Sequence, residues 1–415
     1  MIRQCLCLLA FCIVSFVSAA QKVDSTQNVV DGRRNSVDEQ KKPYLILICG
    51  DGFRYDYARK YGATNILRLS ADGVRAERMI PSYPSVTHPN HFALVSGLYP
   101  AHSGIVGNSF YDPARKEKFK LNVGSWFSEE PIWVTAEKQQ MLTASFFWID
   151  ASTPMKGVLP TYYYKMNENK DVFIEGRTRA LKNWLSLPAD RRPHFMAFYF
   201  PDTDHAGHNF GPDAPETEKA VHFIDSAVGQ INAVAQASGL PVNFIFVSDH
   251  GMTKVDRQHP IAIPSILSDS QFVVNNQVAL LNVYAKDPSA IRPAYESMKA
   301  GADTGGHAVY LSGEMPPELH YGTKDDRYGR VGDIVVIAKW PRTFNPKVGP
   351  GTHGFNPFTV IDMGASFFAW GPAFKQHLQI PPFKNVEVYD VMTQILGIKP
   401  QPNDGTGELA KEILR

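Results

Sequence analysis

Cysteine is almost absent from the usable chain: of four in 415 residues, Cys5, Cys7 and Cys12 fall within the first dozen positions and Cys49 stands alone afterwards. With the first segment removed no intramolecular disulfide can form, which excludes the small disulfide-stapled scaffolds. Net charge is lacking too. Lys and Arg number 42 against 41 Asp and Glu, leaving +1. No broad field therefore gathers nucleic acid or an anionic membrane, and no stable nucleic-acid partner is expected; any anion must be held by local groups. The leading apolar run, residues 6–17, falls short of the roughly 20 residues that cross a bilayer, so no membrane anchor is expected. With Arg3 before it and Ser18-Ala19-Ala20 after it, the run has the layout of a cleaved secretory signal over residues 1–20, the mature chain starting near Gln21. Phe11 before Cys12 and Leu6 before Cys7 argue against lipidation, which needs a small residue there. Internal repeats and low-complexity tracts are missing as well, and nothing sets an oligomeric state.

What is present is ordinary globular material, 44% hydrophobic and 20% charged. Residues 21–42 are polar and without apolar periodicity, the pattern of a flexible leader. From Pro43 onward, 43–415, one folded domain is expected. The run Tyr44-Leu45-Ile46-Leu47-Ile48-Cys49 closes in Gly50-Asp51-Gly52, as a strand buried on both faces would. Two later runs repeat the form: residues 194–200 lead into Pro201-Asp202-Thr203-Asp204, and residues 242–247 into Ser248-Asp249-His250-Gly251. Between them, residues 216–237 place Ala220, Phe223, Ile224, Ala227, Val228 and Ile231 at helical spacing. Strands alternating with helices predict an α/β fold, a mainly parallel sheet flanked by helices on both faces. Ligands bind beyond the carboxyl ends of such strands. Cys49, inside an apolar run, reads as core rather than as a reactive thiol. Residues 317–333, polar and rich in turn formers, read as an irregular excursion.

Six residues suited to binding a metal follow strand ends or sit in glycine-rich turns: Asp51, Asp204, His208, Asp249, His250 and His353. Zinc accepts carboxylate oxygen and imidazole nitrogen, and two such ions about 4 Å apart can clamp the attacking and leaving oxygens of a phosphoryl displacement. Each piece alone has a plainer reading. Asp249-His250-Gly251 could cap a helix, Asp204 and His208 could be a turn residue and a solvated imidazole, and His353 could be a loop residue. Their joint placement at strand ends favours a site. Asp202 competes with Asp204 in the same turn. A nucleophile candidate is Thr87, which precedes Pro89 at the amino end of an apparent helix whose free N–H groups would face an anion. Coordination to zinc would favour its alkoxide; the plainer reading is a helix cap.

These motifs resemble the nucleotide pyrophosphatase/phosphodiesterase branch of the alkaline phosphatase superfamily. Asp51-Gly52-Phe53-Arg54 looks like its first metal motif, and the segment from Thr87 to Asn108, with Pro89-Asn90-His91 and Gly97-Leu98-Tyr99-Pro100, like its nucleophile segment. Pro131-Ile132-Trp133-Val134-Thr135-Ala136-Glu137, Asp204-His205-Ala206-Gly207-His208, Ser248-Asp249-His250-Gly251-Met252 and Gly351-Thr352-His353-Gly354-Phe355 follow in family order. The resemblance implies an alkaline-phosphatase-like fold and two Zn2+ per chain. One ion would be bound by Asp204, His208 and His353; the other by Asp51, Asp249, His250 and the Thr87 oxygen. The family pattern also selects Asp204 over Asp202 and gives Asn108 a hydrogen bond to a phosphate oxygen. It implies a covalent phosphothreonine intermediate and a small-molecule diester or nucleotide substrate, with a nucleoside monophosphate released. Three features depart from the family: His88 where a base-stacking phenylalanine is common, Asn356-Pro357 after His353, and the segment Tyr162-Tyr163-Tyr164, in which Tyr162 or Tyr164 either stacks on a substrate base or packs in the core. Lysophospholipid or choline-type diesters and phosphate monoesters compete as substrates, with Lys156 and Lys165 as candidate cations for a monoester. From another class, a secreted binding protein that has lost catalysis would keep the fold. Secretion, with the bacterial periplasm as its natural setting, fits the leading segment.

Overall fold

The structure is a computed structural model that describes residues 27–166 and 173–415. The expected signal, residues 1–20, lies outside them. At its centre Tyr44–Gly50 is buried along its whole length. Because alternate strand residues point to opposite sides, full burial means that both faces of the sheet are covered. Phe195–Phe200 and Val242–Val247 flank it, both parallel to it and equally buried. Thr143–Phe146 and Tyr162–Tyr164 extend the parallel set on one side. On the other side the order continues through Phe367–Trp370, Val74–Ala76 and Leu378–Ile380, where the Phe367–Trp370 strand runs antiparallel to both neighbours. The expected α/β sheet with flanking helices is thus present, mostly parallel, with Phe367–Trp370 and the edge strand Asn28–Val29 antiparallel to their neighbours.

Register positions the site. Gly50 pairs with Phe200, and Cys49 with Val247, so the three central strands end in step. The residues that follow emerge together at one edge. The long helix Pro215–Ala237 buries Val221, Ile224, Ala227, Val228 and Ile231 at helical spacing, whereas Ala220 and Phe223, read as part of the same face, lie outside the buried stripe and Phe223 is exposed. Ile224 meets the sheet opposite Gly50, where a Cβ would come within 3.3 Å of its methyl.

One expectation needs correction. The leader is not loose over its described part. Asn28–Val29 pairs antiparallel with Tyr162 and Tyr163, and Asn35 is buried, its Nδ2 donating to the Ala189 and Arg192 carbonyls while its Oδ1 accepts from Leu142 N–H. Polar residues here serve backbone groups left over at the sheet margin, which gives them no apolar period to read. Beside the main sheet stands a second one. Phe272–Asn276, Leu280–Ala285, Ile334–Ala338 and His307–Leu311 form a separate antiparallel sheet with its own core, including Leu281, Val283, Val309 and Val336. Residues 317–333 connect its two neighbouring strands and are tied back to the main body, Tyr321 donating to the Val106 carbonyl at 2.9 Å and Arg330 pairing with Asp112 at 3.0 Å. The terminal helix Glu408–Ile413 buries Leu409, Ala410 and Ile413 and so docks on the body. Among the described residues no helix is long and apolar enough to cross a membrane.

Candidate active site

Asp51 follows its strand directly, and its N–H donates to the Phe200 carbonyl at 2.8 Å. The helix Asp202–Phe210 begins just past the neighbouring strand and carries Asp204 and His208 one turn apart on one face. Thr203 donates to the Asp51 carbonyl, joining the two segments. Asp249 and His250 follow the third strand. His353 arrives from far away in sequence because Thr253 pairs with Thr352 in a short antiparallel ribbon. Its Nδ1 lies 3.0 Å from the Ser85 carbonyl, and His208 Nδ1 lies 3.0 Å from the Gly351 carbonyl, so both rings turn Nε2 inward.

The inward atoms converge. Asp51, Asp249 and His250 form one group and Asp204, His250 and His353 another, with one donor atom of each within 4.8 Å of the others. His208 joins the second group, its Nε2 being 3.3 Å from Asp204 Oδ1 and 3.1 Å from His353 Nε2. The rings of His250 and His353 stack at 3.7 Å and link the groups. All six expected residues therefore come together, and of the two acids in that turn it is Asp204 that stands in the cluster.

The carboxylates are prepared in the same way. Asp51 Oδ2 accepts from the Tyr199 hydroxyl at 2.6 Å, and Asp249 Oδ1 accepts from Gly52 N–H at 3.1 Å. Their other oxygens, together with Asp204 Oδ1, are buried without a hydrogen-bond partner among the described residues. An orphaned buried carboxylate oxygen is costly, and three aimed at one place repel each other. Burial, followed by Asp249 and Asp204, accordingly pushes the Asp51 carboxyl well above its usual range. Burial and then the charge of His250 push His353 down to about 3, the neutral state that a metal-binding imidazole needs. Cations fit this donor set and relieve its repulsion.

Thr87 opens the helix Thr87–Ser96. It is not the cap: Val86 holds that position, and Thr87 Oγ1 instead lies 3.3 Å from His250 Nε2. Asn108 Oδ1 accepts from His88 N–H at 2.8 Å, which leaves its amide hydrogens as donors for a ligand. Beside Thr87 a cavity of about 300 Å³ is lined by His88, Leu121, Asn122, Trp148, Asp150 and Tyr164, among others. His88 Nδ1 lies 2.8 Å from Asp150 Oδ2.

A family model described as type I phosphodiesterase / nucleotide pyrophosphatase matches residues 45–356. The chain belongs to this family. Among its relatives is mouse ectonucleotide pyrophosphatase/phosphodiesterase family member 1, 32% identical over 400 residues; the match takes in 91% of this chain but 43% of that protein. The chain thus spans less than half the length of that relative. An uncharacterized pyrophosphatase/phosphodiesterase of Schizosaccharomyces pombe is 29% identical over 435 residues, which are 99% of this chain and 88% of the other. The solved structure of murine ectonucleotide pyrophosphatase/phosphodiesterase 5 superposes with a TM-score of 0.81 at 24% identity, covering 90% of this chain and all of the other, and shows the shared fold.

Some expected substrate contacts do not gather. Tyr162 does not line the cavity: its hydroxyl donates to the Arg191 carbonyl at 2.9 Å. Strand pairing with the leader fixes it there. Tyr164 does line the cavity, its ring stacked on Phe146 at 4.3 Å. Lys156 is held by the Ser128 carbonyl. Residues that sequence reading missed include Tyr199, the buried partner of Asp51, and Asp150, the partner of His88. Only the position of Tyr199, last but one in an apolar strand ending at the site, gave any signal.

Proposed function

We propose that the chain is a two-zinc phosphodiesterase or nucleotide pyrophosphatase in which Thr87 is the nucleophile. The observation that carries this reading is the Thr87 hydroxyl, placed 3.3 Å from His250 Nε2 at the rim of three orphaned carboxylate oxygens. Asp204, His208 and His353 would hold one zinc, and Asp51, Asp249, His250 and Thr87 the other. When bound, the ions supply Lewis acidity for the attacking and leaving oxygens.

The chain's own groups account for the remainder. The helix amino end beneath Thr87 presents backbone N–H groups to the phosphate. Asn108 donates to a non-bridging oxygen whose charge grows in the transition state, a contribution worth about 10²–10³ in rate. Thr87 Oγ forms the new bond to phosphorus in line as the ester oxygen opposite departs, giving a phosphothreonine diester. Water then attacks the same phosphorus, restores the Thr87 hydroxyl and releases a monoester such as a nucleoside monophosphate. The 300 Å³ cavity beside Thr87 is roomy enough for an organic group of nucleoside size. The signal-like residues 1–20 support export, and the bacterial periplasm is the proposed setting.

The Thr87→Ala protein should lose at least about 10³-fold in kcat on a chromogenic phosphodiester, with zinc content retained. Full turnover by that variant would overturn the nucleophile assignment. A nucleotide diester, a glycerophosphocholine-type diester and a monoester compared on one sample rank the substrate class; a nucleotide diester is expected to lead.

A further inference from the structure

Behind the metal-binding groups, His91 reaches three partners at once. It lies one turn after Thr87 on the same helix and is 1% exposed. Its Nδ1 is 3.0 Å from the Thr87 carbonyl oxygen and 3.3 Å from Asp249 Oδ2. Its Nε2 is 3.4 Å from Cys49 Sγ. Trp148 and Tyr199 meet the ring edge-on, with centroids at 5.1 and 5.2 Å, and fix its plane.

These contacts settle where the hydrogens sit. A carbonyl oxygen only accepts, so Nδ1 carries the hydrogen. With Nδ1 as the donor, Nε2 of the neutral ring is left as an acceptor, and the Cys49 S–H at 3.4 Å is the donor that faces it.

We propose that His91 is a positioning residue: its Nδ1–H holds the Thr87 carbonyl, and so the backbone of the nucleophile, 3.3 Å from Asp249 Oδ2, while Cys49 faces the opposite edge of the ring and keeps it in the tautomer that can do so. The proposal rests on the reading of Thr87 and Asp249 given above. Asp249 accepts from Gly52 N–H on Oδ1 at 3.1 Å, and the His91 ring stands beside its Oδ2 at 3.3 Å. Packing alone would be met by any flat apolar ring. The polar contacts on both edges of a fully buried imidazole are what packing does not require. Misplacing a nucleophile by about 1 Å can cost on the order of 10²-fold in rate.

Asparagine and glutamine separate the two edges of the ring, since the Asn amide nitrogen falls near His Nδ1 and that of Gln near Nε2. His91→Gln should lower kcat on a chromogenic diester by about tenfold or more with KM little changed. His91→Asn should retain several times more turnover than His91→Gln. The chelator concentration that strips half the zinc should fall in the same order, wild type above His91→Asn above His91→Gln. Equal kcat and equal zinc retention in the two variants would reduce His91 to a spacer. Should the wild type bind zinc yet cleave no phosphodiester, the reading of function fails while the zinc ranking still decides the role of His91. If neither variant folds, Cys49→Val and Cys49→Ser take their place: the valine should lose severalfold in kcat and the serine, which keeps a donor, should recover it. Matching losses in both would overturn the tautomer argument.

Discussion

At Gly52 the backbone takes φ +63°, and a Cβ built there would sit 3.0 Å from Asp204 Cα and 3.1 Å from its Cβ. A side chain is disfavoured by conformation and by the neighbouring helix at once, because the turn after the central strand must let the Asp204 helix approach. Gly52→Ala should therefore displace Asp204 and loosen the N–H contact to Asp249, lowering zinc content and kcat together. Stability should fall by about 1–3 kcal/mol, measured by denaturant unfolding of the metal-free protein. An unchanged zinc content would contradict this account of the turn. At this scale the ligand types were legible in sequence, because acids and imidazoles after apolar runs stand out. His88 was visible as a departure from the family pattern; that its ring is paired with Asp150 was not, since 62 positions separate them.

The short helix Pro100–Ser103 is fastened by residues from two distant segments. Asp404 accepts from Tyr99 N–H at 2.8 Å and from His102 Nδ1 at 2.7 Å, while its own N–H donates to the Gly97 carbonyl. On the other edge of the ring, His102 Nε2 lies 3.2 Å from Asp325. Burial acts upward on the Asp404 carboxyl, but the His102 hydrogen bond and the Tyr99 N–H outweigh it and hold the group below the usual carboxylate range. A carboxyl depressed in the folded state stabilises fully above its unfolded value, near 3.9, and loses that contribution as pH falls through the folded value. Asp404→Asn should thus destabilise the protein by about 1.5–3 kcal/mol at pH 7. The difference between the two thermal unfolding midpoints should shrink as pH drops below about 4; a constant difference across that range would contradict the charged contact. Elements were unevenly legible. The helix Pro215–Ala237 was readable from its period, whereas the short strand Asn28–Val29 was not, because two polar-flanked residues paired on a sheet margin carry no pattern.

Across the whole molecule, the site joins the edge of the main sheet to the loop that carries His353, held by the pairing of Thr253 with Thr352. Ions bound there should stabilise the fold by mass action, since the unfolded chain does not gather the ligands. Removing metal with a chelator should abolish turnover and lower the unfolding midpoint. Zinc should restore both, at about two ions per chain; full activity after complete removal would contradict the two-zinc reading. The sequence by itself determined the α/β class, the strands that end in step and the residue types offered at their ends, because burial on two faces and helical period are local patterns. Only the tertiary structure decided that strands between residues 272 and 338 form their own antiparallel sheet, that the described part of the leader is bound, and that His353, Tyr199 and His91 gather around one site. Those contacts arise from register, ribbon pairing and helix approach, which depend on residues far apart in the chain and leave no periodic trace along it.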